Sequence, residues 1–269
     1  MVNYLLINNI YNLNIIGGVN ANATTMGIRS SNKSKQNEFY NNIISRLTHI
    51  NGQSDSAVVG IFLKDTSKYQ VYHNTIYLGA DTMISSTNPN FGAQGIAYFH
   101  NSLDLRNTIV NVNAIPTGNG NVCALRRFGT GIQGTPTPFY MSSSNHNIFH
   151  TPTQNHCYFV GEGTANTSLI NTFDLNTDPQ FNSSNSLYKQ FLNGADANSY
   201  TENNLIVHSN FTIEPTFSGL AGNGGEYLTS VPNDFLGTIR NNPPDIGALE
   251  GNYVTGTTLW CTPRPSFTI

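Results

Sequence analysis

Apolar and polar residues alternate along much of the chain in short runs. The stretch VYHNTIYLG, Val71 to Gly79, reads as a strand interrupted by an Asn. YNNIISRL (Tyr40 to Leu47) and LRNTIVNV (Leu105 to Val112) repeat its outline. Anchored on Asn74, the matching positions are Asn9 in LINNIYNL, Asn42, Asn107, and Asn147 in NHNIFHT. The successive steps are 33, 32, 33 and 40 residues, and the longer last step fits a loop insertion. A second anchor keeps pace with the first: Gly27 in GIRS, Gly60 in GIFL and Gly95 in GIAY advance by 33 and 35 residues. Two anchors that move together mark an internal repeat.

Residues two apart on a strand share a face. Two before the Asn stand Ile7, Tyr40, Tyr72 and Leu105, and two after stand Tyr11, Ile44, Ile76, Ile109 and Phe149. The Asn column is therefore expected on the apolar side, or at a bend between inward-facing strands. Isolated buried amides are costly, but stacked ones at the ~4.8 Å strand spacing can donate and accept along the stack. A chain that coils once per repeat supplies that register. VGIFLKD, YQVYHN and TIYLGAD are the three predicted strands of one coil, and TMISSTNPNFGAQ (Thr82 to Gln94) is a predicted loop. The expected fold is all-β: a right-handed parallel β-helix, a solenoid of three-strand coils with about 33 residues per coil. Its handedness is taken from the general chirality of parallel connections and from the resemblance described below.

Composition narrows the field. Asn makes up about one residue in seven, a composition that builds helices poorly and turns well. Net charge is −3 with 10% charged residues, which gives no electrostatic footprint for nucleic acid or an anionic membrane. No apolar run approaches a membrane span, and the opening MVNYLLINNIYNLNIIGG lacks the basic start of a signal peptide. Cys123, Cys157 and Cys261 show no zinc-type spacing, so no metal or cofactor is expected. One disulfide with a spare thiol, or three buried thiols, both fit.

VPNDFLGTIRNNPPDIGALEGNY (Val231 to Tyr253) resembles the end of secreted right-handed parallel β-helix (pectin-lyase-like) repeat proteins of Bacteroidetes-type bacterial surfaces. Those proteins carry a D-F-x-G-x-x-R element followed by P-D-I-G-A-x-E. YHNTIYLG, DLRNTIVNV and SSNHNIFHT resemble their repeats. The resemblance implies coils over residues 1–150, terminal coils and a C-terminal cap of the same domain over 151–253, and a tail or linker start over 254–269. DPQF at Asp178, FTIEPTF and GGEYLTS are expected as short strands and turns of that cap. Asp234, Arg240, Asp245 and Glu250 are expected to form its structural ion-pair and turn cluster. An extracellular or cell-surface location and additional domains in a longer chain are also implied, since the chain opens inside a repeat.

Parallel β-helices host lyases, hydrolases and adhesins alike, so the fold alone does not select an activity. A glycosidase needs two neighbouring carboxylates; Glu38, Asp65 and Asp104 stand at unequal offsets from the Asn anchors and do not stack. A lyase needs a base, with calcium as its only plausible cofactor; Lys64 and Asp65 in LKDTSK are the candidates, though a charged turn accounts for the same residues. If the Asn column points in, the residues before it (Asn8, Asn41, His73, Arg106 and His146) point out. With Tyr77, the set His73, Arg106 and His146 is a candidate strip for a polysaccharide or cell-surface glycan. The expected function is a non-catalytic surface module, structural or adhesive. The alternative is a carbohydrate-active enzyme, a polysaccharide lyase or glycoside hydrolase, acting on an extracellular polysaccharide.

Overall fold

The computed structural model describes residues 4–8, 16–17, 24–31, 36–49, 53–54, 56–64, 67–79, 90–99, 102–118, 120–128, 140–151, 158–160, 195–196, 198–203, 205–207, 213–215 and 219–251. Among these the regular structure is all strand. Asn9 and Asp65 lie outside the described residues, as do Asp178 and the 254–269 tail.

Three parallel sheets dominate. The first orders Thr25–Ser30, Val58–Leu63, Ala93–Tyr98, Val122–Arg127 and Tyr158–Val160. The second orders Tyr4–Asn8, Gln36–Tyr40, Lys68–Tyr72 and Ser102–Arg106. The third orders Ile43–Ser45, Thr75–Leu78, Ile109–Val112, Ile148–His150 and Tyr200–Thr201. From Thr25 to Val112 the chain visits the sheets in that sequence, adding one strand to each on every pass. Gln36 pairs with Lys68, and Lys68 with Ser102, so the step is 32 residues and then 34. The strand Ala93–Tyr98 begins inside the predicted Thr82–Gln94 loop.

Alternation along the strands of the second and third sheets, and the two runs either side of the glycine in the first, send one set of side chains to a common interior. Ile61 and Ile96 of the first sheet, Phe39, Val71 and Leu105 of the second, and Ile44, Ile76 and Val110 of the third belong to one buried cluster. Burying each such side chain stabilises by roughly 1.5–3 kcal/mol. The glycine anchor is explained by how closely the first and third sheets approach. A Cβ on Gly60 would lie 2.4 Å from the Gly95 carbonyl oxygen and 2.7 Å from Ile76 Cγ2, and one on Gly95 would lie 2.1 Å from Val110 Cγ1. A side chain there would displace the inward residue of the facing strand.

Residues 219–251 carry no regular strand. They run along the side of the second and third sheets, touching Tyr72 through Leu228 and Val231, Ile43 through Ala248 and Leu249, and Ile109 and Ile148 through Ala221 and Ile246. This lateral segment is termed the strap. FTIEPTF contributes Ile213–Pro215, which pairs antiparallel with Leu205–Val207, whereas GGEYLTS forms part of the strap without strand structure.

Candidate functional site

The corner between the second and third sheets repeats on every pass. Its first residue is Asn41, His73, Asn107 or His146, each in the left-handed region with φ of 55°, 50°, 51° and 55°. Asn and His tolerate that conformation better than most side chains. The corner N–H still pairs with the next pass, as His73 with the Arg106 carbonyl at 3.0 Å, but the N–H of the residue after it is left for a side chain to satisfy. The next residue, Asn42, Asn74, Thr108 or Asn147, is buried and supplies the partners. Asn74 Nδ2 donates to the Phe39 and Tyr72 carbonyls, both at 2.9 Å. Its Oδ1 accepts from the Asn42 backbone N–H at 3.0 Å and from Asn42 Nδ2 at 2.8 Å. The Asn74 N–H donates to Thr108 Oγ1 at 3.3 Å, the Thr108 N–H to Asn147 Oδ1 at 3.0 Å, and the Asn147 N–H to Ser199 Oγ at 2.8 Å.

The ladder thus reads Asn42–Asn74–Thr108–Asn147–Ser199, and Asn107 stands outside it, one residue away in the corner column. Only Asn42 and Asn74 stack amide on amide; the other rungs join a backbone N–H to the next side chain. At the far end Asn147 Nδ2 donates to Asp196 Oδ1 at 2.9 Å, and Tyr140 donates to Asp196 Oδ2 at 2.6 Å. Burial pushes the Asp196 carboxyl up to about 6, against the hydrogen bonds from Ser199, Tyr140 and Asn147.

The corner column faces the strap instead of solvent. Asn107 grips the main chain of Glu226: its Oδ1 accepts from the N–H at 2.8 Å and its Nδ2 donates to the carbonyl at 2.7 Å. That pairing fixes the amide orientation, so Nδ2 is also what faces His73 Nε2 at 2.9 Å. An amide nitrogen only donates; Nε2 is therefore the acceptor and the imidazole proton resides on Nδ1. His73 is fully buried, and burial, with Arg240 nearby, pushes its pKa well below the usual range. Asn41 donates to the Asn233 carbonyl at 2.6 Å and accepts from Arg240 at 2.8 Å, and His146 Nδ1 lies 2.8 Å from the Gly224 carbonyl.

Within the strap, Arg240 pairs with Glu250 at 3.2 Å. The three carboxylates hold turns by accepting from backbone. Asp234 takes Leu236, Thr238 and Glu250 N–H, Asp245 takes Asn223 and Gly251, and Glu250 takes Asn241 and Asp245. Burial pushes the Asp245 carboxyl up to about 7. Every polar group of the PDIGALE element named here is engaged inside the protein.

The structure distributes the remaining candidates over separate faces. Lys64 is exposed at a strand end. Arg106 is not a corner residue. It lies on the outer face of the second sheet, bonded to Asp104 at 2.9 Å and 3.6 Å from Glu226, with its guanidinium 5.6 Å above the Tyr72 ring. Here the one-residue shift of the ladder matters: Glu38 and Asp104 are both partners of Gln70 and occupy one outward row. The offsets appear unequal only when Asn107 is taken for a ladder residue. Two strand spacings separate the two carboxylates by ~9.6 Å, at the upper edge of the ~6.5–9.5 Å used in inverting glycoside hydrolysis. The row is occupied, however. Both Asp104 oxygens accept from Arg106, and Oδ2 also accepts from the Tyr72 hydroxyl at 2.7 Å. Burial first, then Asp104, raise the Tyr72 pKa far above its usual range, keeping it a neutral donor. Gln70 Nε2 donates to that hydroxyl, and Gln36 bonds Glu38 and Gln70. Tyr77 stands apart, on the outer face of the third sheet beside Ile43 and Leu249.

Among the described residues no group of three or more His, Cys, Asp or Glu side chains converges to hold a metal ion. Comparison of the chain with protein-family models, with curated proteins and with solved structures gave no match.

Proposed function

We propose that the chain is a right-handed parallel β-helix of the pectin-lyase-like kind, and that it serves as a non-catalytic structural or adhesive module at an extracellular surface. Support for the fold comes from the constant order in which the chain visits three parallel sheets and from their shared interior. The location and the class follow from the PDIGALE and YHNTIYLG resemblances. The observation that carries the non-catalytic reading is the occupancy of the polar side chains. The corner column is bonded to the strap, and Asp104, the most buried acid of the Glu38–Gln70–Asp104 row, is saturated by Arg106 and Tyr72. A general acid or nucleophile needs a carboxyl oxygen directed at substrate, and these are directed at neighbours.

The test is incubation with a panel of neutral and acidic polysaccharides, followed by assay for new reducing ends and for unsaturated uronates. No new ends are expected. Products that vanish in a Glu38→Gln/Asp104→Asn or a Lys64→Ala/Asp65→Ala protein would overturn this reading in favour of a hydrolase or a lyase.

A further inference from the structure

The outward positions of the third sheet fall into two rows. Ile43, Thr75, Ile109 and Ile148 lie under the strap, with Thr75 Oγ1 accepting from the Ala248 N–H at 3.0 Å. Two residues further along the strands runs the row Ser45–Tyr77–Asn111–His150, each pairing with the next. In this second row two polar atoms are buried without a hydrogen-bond partner among the described residues: Ser45 Oγ and Asn111 Oδ1, in residues 1% and 0% exposed. Asn111 Nδ2 is already committed, donating to Asn203 Oδ1 at 3.0 Å, so turning the amide over would lose one bond to gain another.

A buried acceptor left without a donor is destabilising, and native interiors leave few of them. Here two unsatisfied groups share one face, one strand to either side of Tyr77. Tyr77 and His150 are both partly exposed. Burial depresses the His150 pKa, so the imidazole is neutral at neutral pH. The row offers a hydroxyl, an aromatic ring, an amide oxygen and an imidazole at the ~4.8 Å strand spacing, close to the length of one sugar ring, and it carries no cation. A pyranose supplies the complement: hydroxyls for the unpaired atoms and an apolar C–H face for the ring.

We propose that Ser45, Tyr77, Asn111 and His150 form a binding strip for a neutral oligosaccharide lying across the strands of the third sheet. Tyr77 stacks on a sugar ring, Asn111 Oδ1 accepts from a sugar hydroxyl, and Ser45 Oγ bonds a second one. Tyr77 stands between the two buried atoms and is the partly exposed side chain a ligand meets first. The proposal rests on the adhesive reading above and narrows it to one face and one ligand class. An acidic glycan finds no counter-charge in this row.

Calorimetric titration with β-1,4-linked hexasaccharides of glucose, mannose and xylose tests it, with hexagalacturonate as the acidic counterpart. At least one neutral hexasaccharide is expected to bind, and hexagalacturonate is not. Asn111→Leu and Tyr77→Ala should each weaken binding by roughly tenfold or more, the loss of one buried bond or stacking contact. Tyr77→Phe, which keeps the ring, should stay close to wild type. Urea denaturation confirms that each variant is folded, and Ser45→Ala, the smallest change, serves where Asn111→Leu is not. Binding of no neutral hexasaccharide overturns the proposal. Binding that persists in Asn111→Leu and Tyr77→Ala overturns the strip while leaving an adhesive role intact, and cleavage products in the polysaccharide assay would count against the adhesive role separately.

Discussion

Asn74→Leu is expected to lower stability by about 4 kcal/mol, because several buried partners lose their bonds together. The amide makes four short contacts: two carbonyls, Phe39 and Tyr72, accept from it, and Asn42 donates to it from both backbone and side chain. Leucine fills a similar volume, so the loss isolates polar satisfaction from packing. The left-handed corner makes such a side chain necessary, since the N–H of the residue after it, Asn42 here, is met by Asn74 Oδ1 and not by a carbonyl. Equilibrium urea unfolding, read as a shift in midpoint at unchanged slope, is the measurement. A transition indistinguishable from wild type would mean that Asn74 faces water and that the ladder does not exist.

Asn107→Ala is expected to cost about 3 kcal/mol, combining lost hydrogen bonds with the strain of alanine at a left-handed φ. Its effect differs in kind from that at Asn74, because Asn107 serves the strap. Its amide pairs with both main-chain groups of Glu226, it bonds His73, and its carbonyl accepts from Gly247 at 2.8 Å. Release should be local. Backbone amides of 219–251 should lose hydrogen-exchange protection while those of Val58–Leu63 and Ala93–Tyr98 keep theirs. Asn107→Gly separates the two contributions, since glycine tolerates the conformation but restores no bond. Equal protection of the strap in wild type and Asn107→Ala would show that the strap is held by its apolar contacts alone.

These two residues also mark where the sequence is legible and where it is not. The strand triplets and their spacing can be read because short apolar runs such as Val58–Leu63 and Thr75–Leu78 recur at a fixed step, and because the glycine column tolerates little else. The ladder register cannot be read from Asn alone. The corner position accepts Asn or His and the ladder position accepts Asn, Thr or Ser, so the two sets overlap at Asn. In Arg106-Asn107-Thr108 the Asn belongs to the corner, and in Tyr72-His73-Asn74 it belongs to the ladder. Pairs of a left-handed-tolerant residue followed by a small polar one, as in Asn41-Asn42, His73-Asn74, Asn107-Thr108 and His146-Asn147, are the signal that resolves it.

That single slip hid the Glu38–Gln70–Asp104 row and placed Arg106 in the wrong column. The strap was hidden for a different reason. Asn107 and Glu226 are 119 residues apart, and such contacts leave no local pattern. The lateral contacts of a PDIGALE-type ending with Tyr72, Ile43 and Ile109 therefore cannot be read from the sequence. Tyr77 is visible as an outward aromatic, but its partners Ser45 and Asn111 are not. Which strands flank it depends on the same register.

In-register stacking of successive passes underlies every one of these assignments, and disulfide trapping tests it most directly. With the native cysteines replaced by alanine, cysteine pairs are placed at the outward positions Gln36, Lys68 and Ser102, where Gln36 pairs with Lys68 and Lys68 with Ser102. Neighbouring strands at ~4.8 Å fall within the ~4.4–6.8 Å Cα separation a disulfide accepts, and strands two apart do not. Under mild oxidation Gln36→Cys/Lys68→Cys and Lys68→Cys/Ser102→Cys should cross-link, and Gln36→Cys/Ser102→Cys should stay reduced. Efficient cross-linking of the Gln36–Ser102 pair, or none in the two adjacent pairs, would contradict the stacked register.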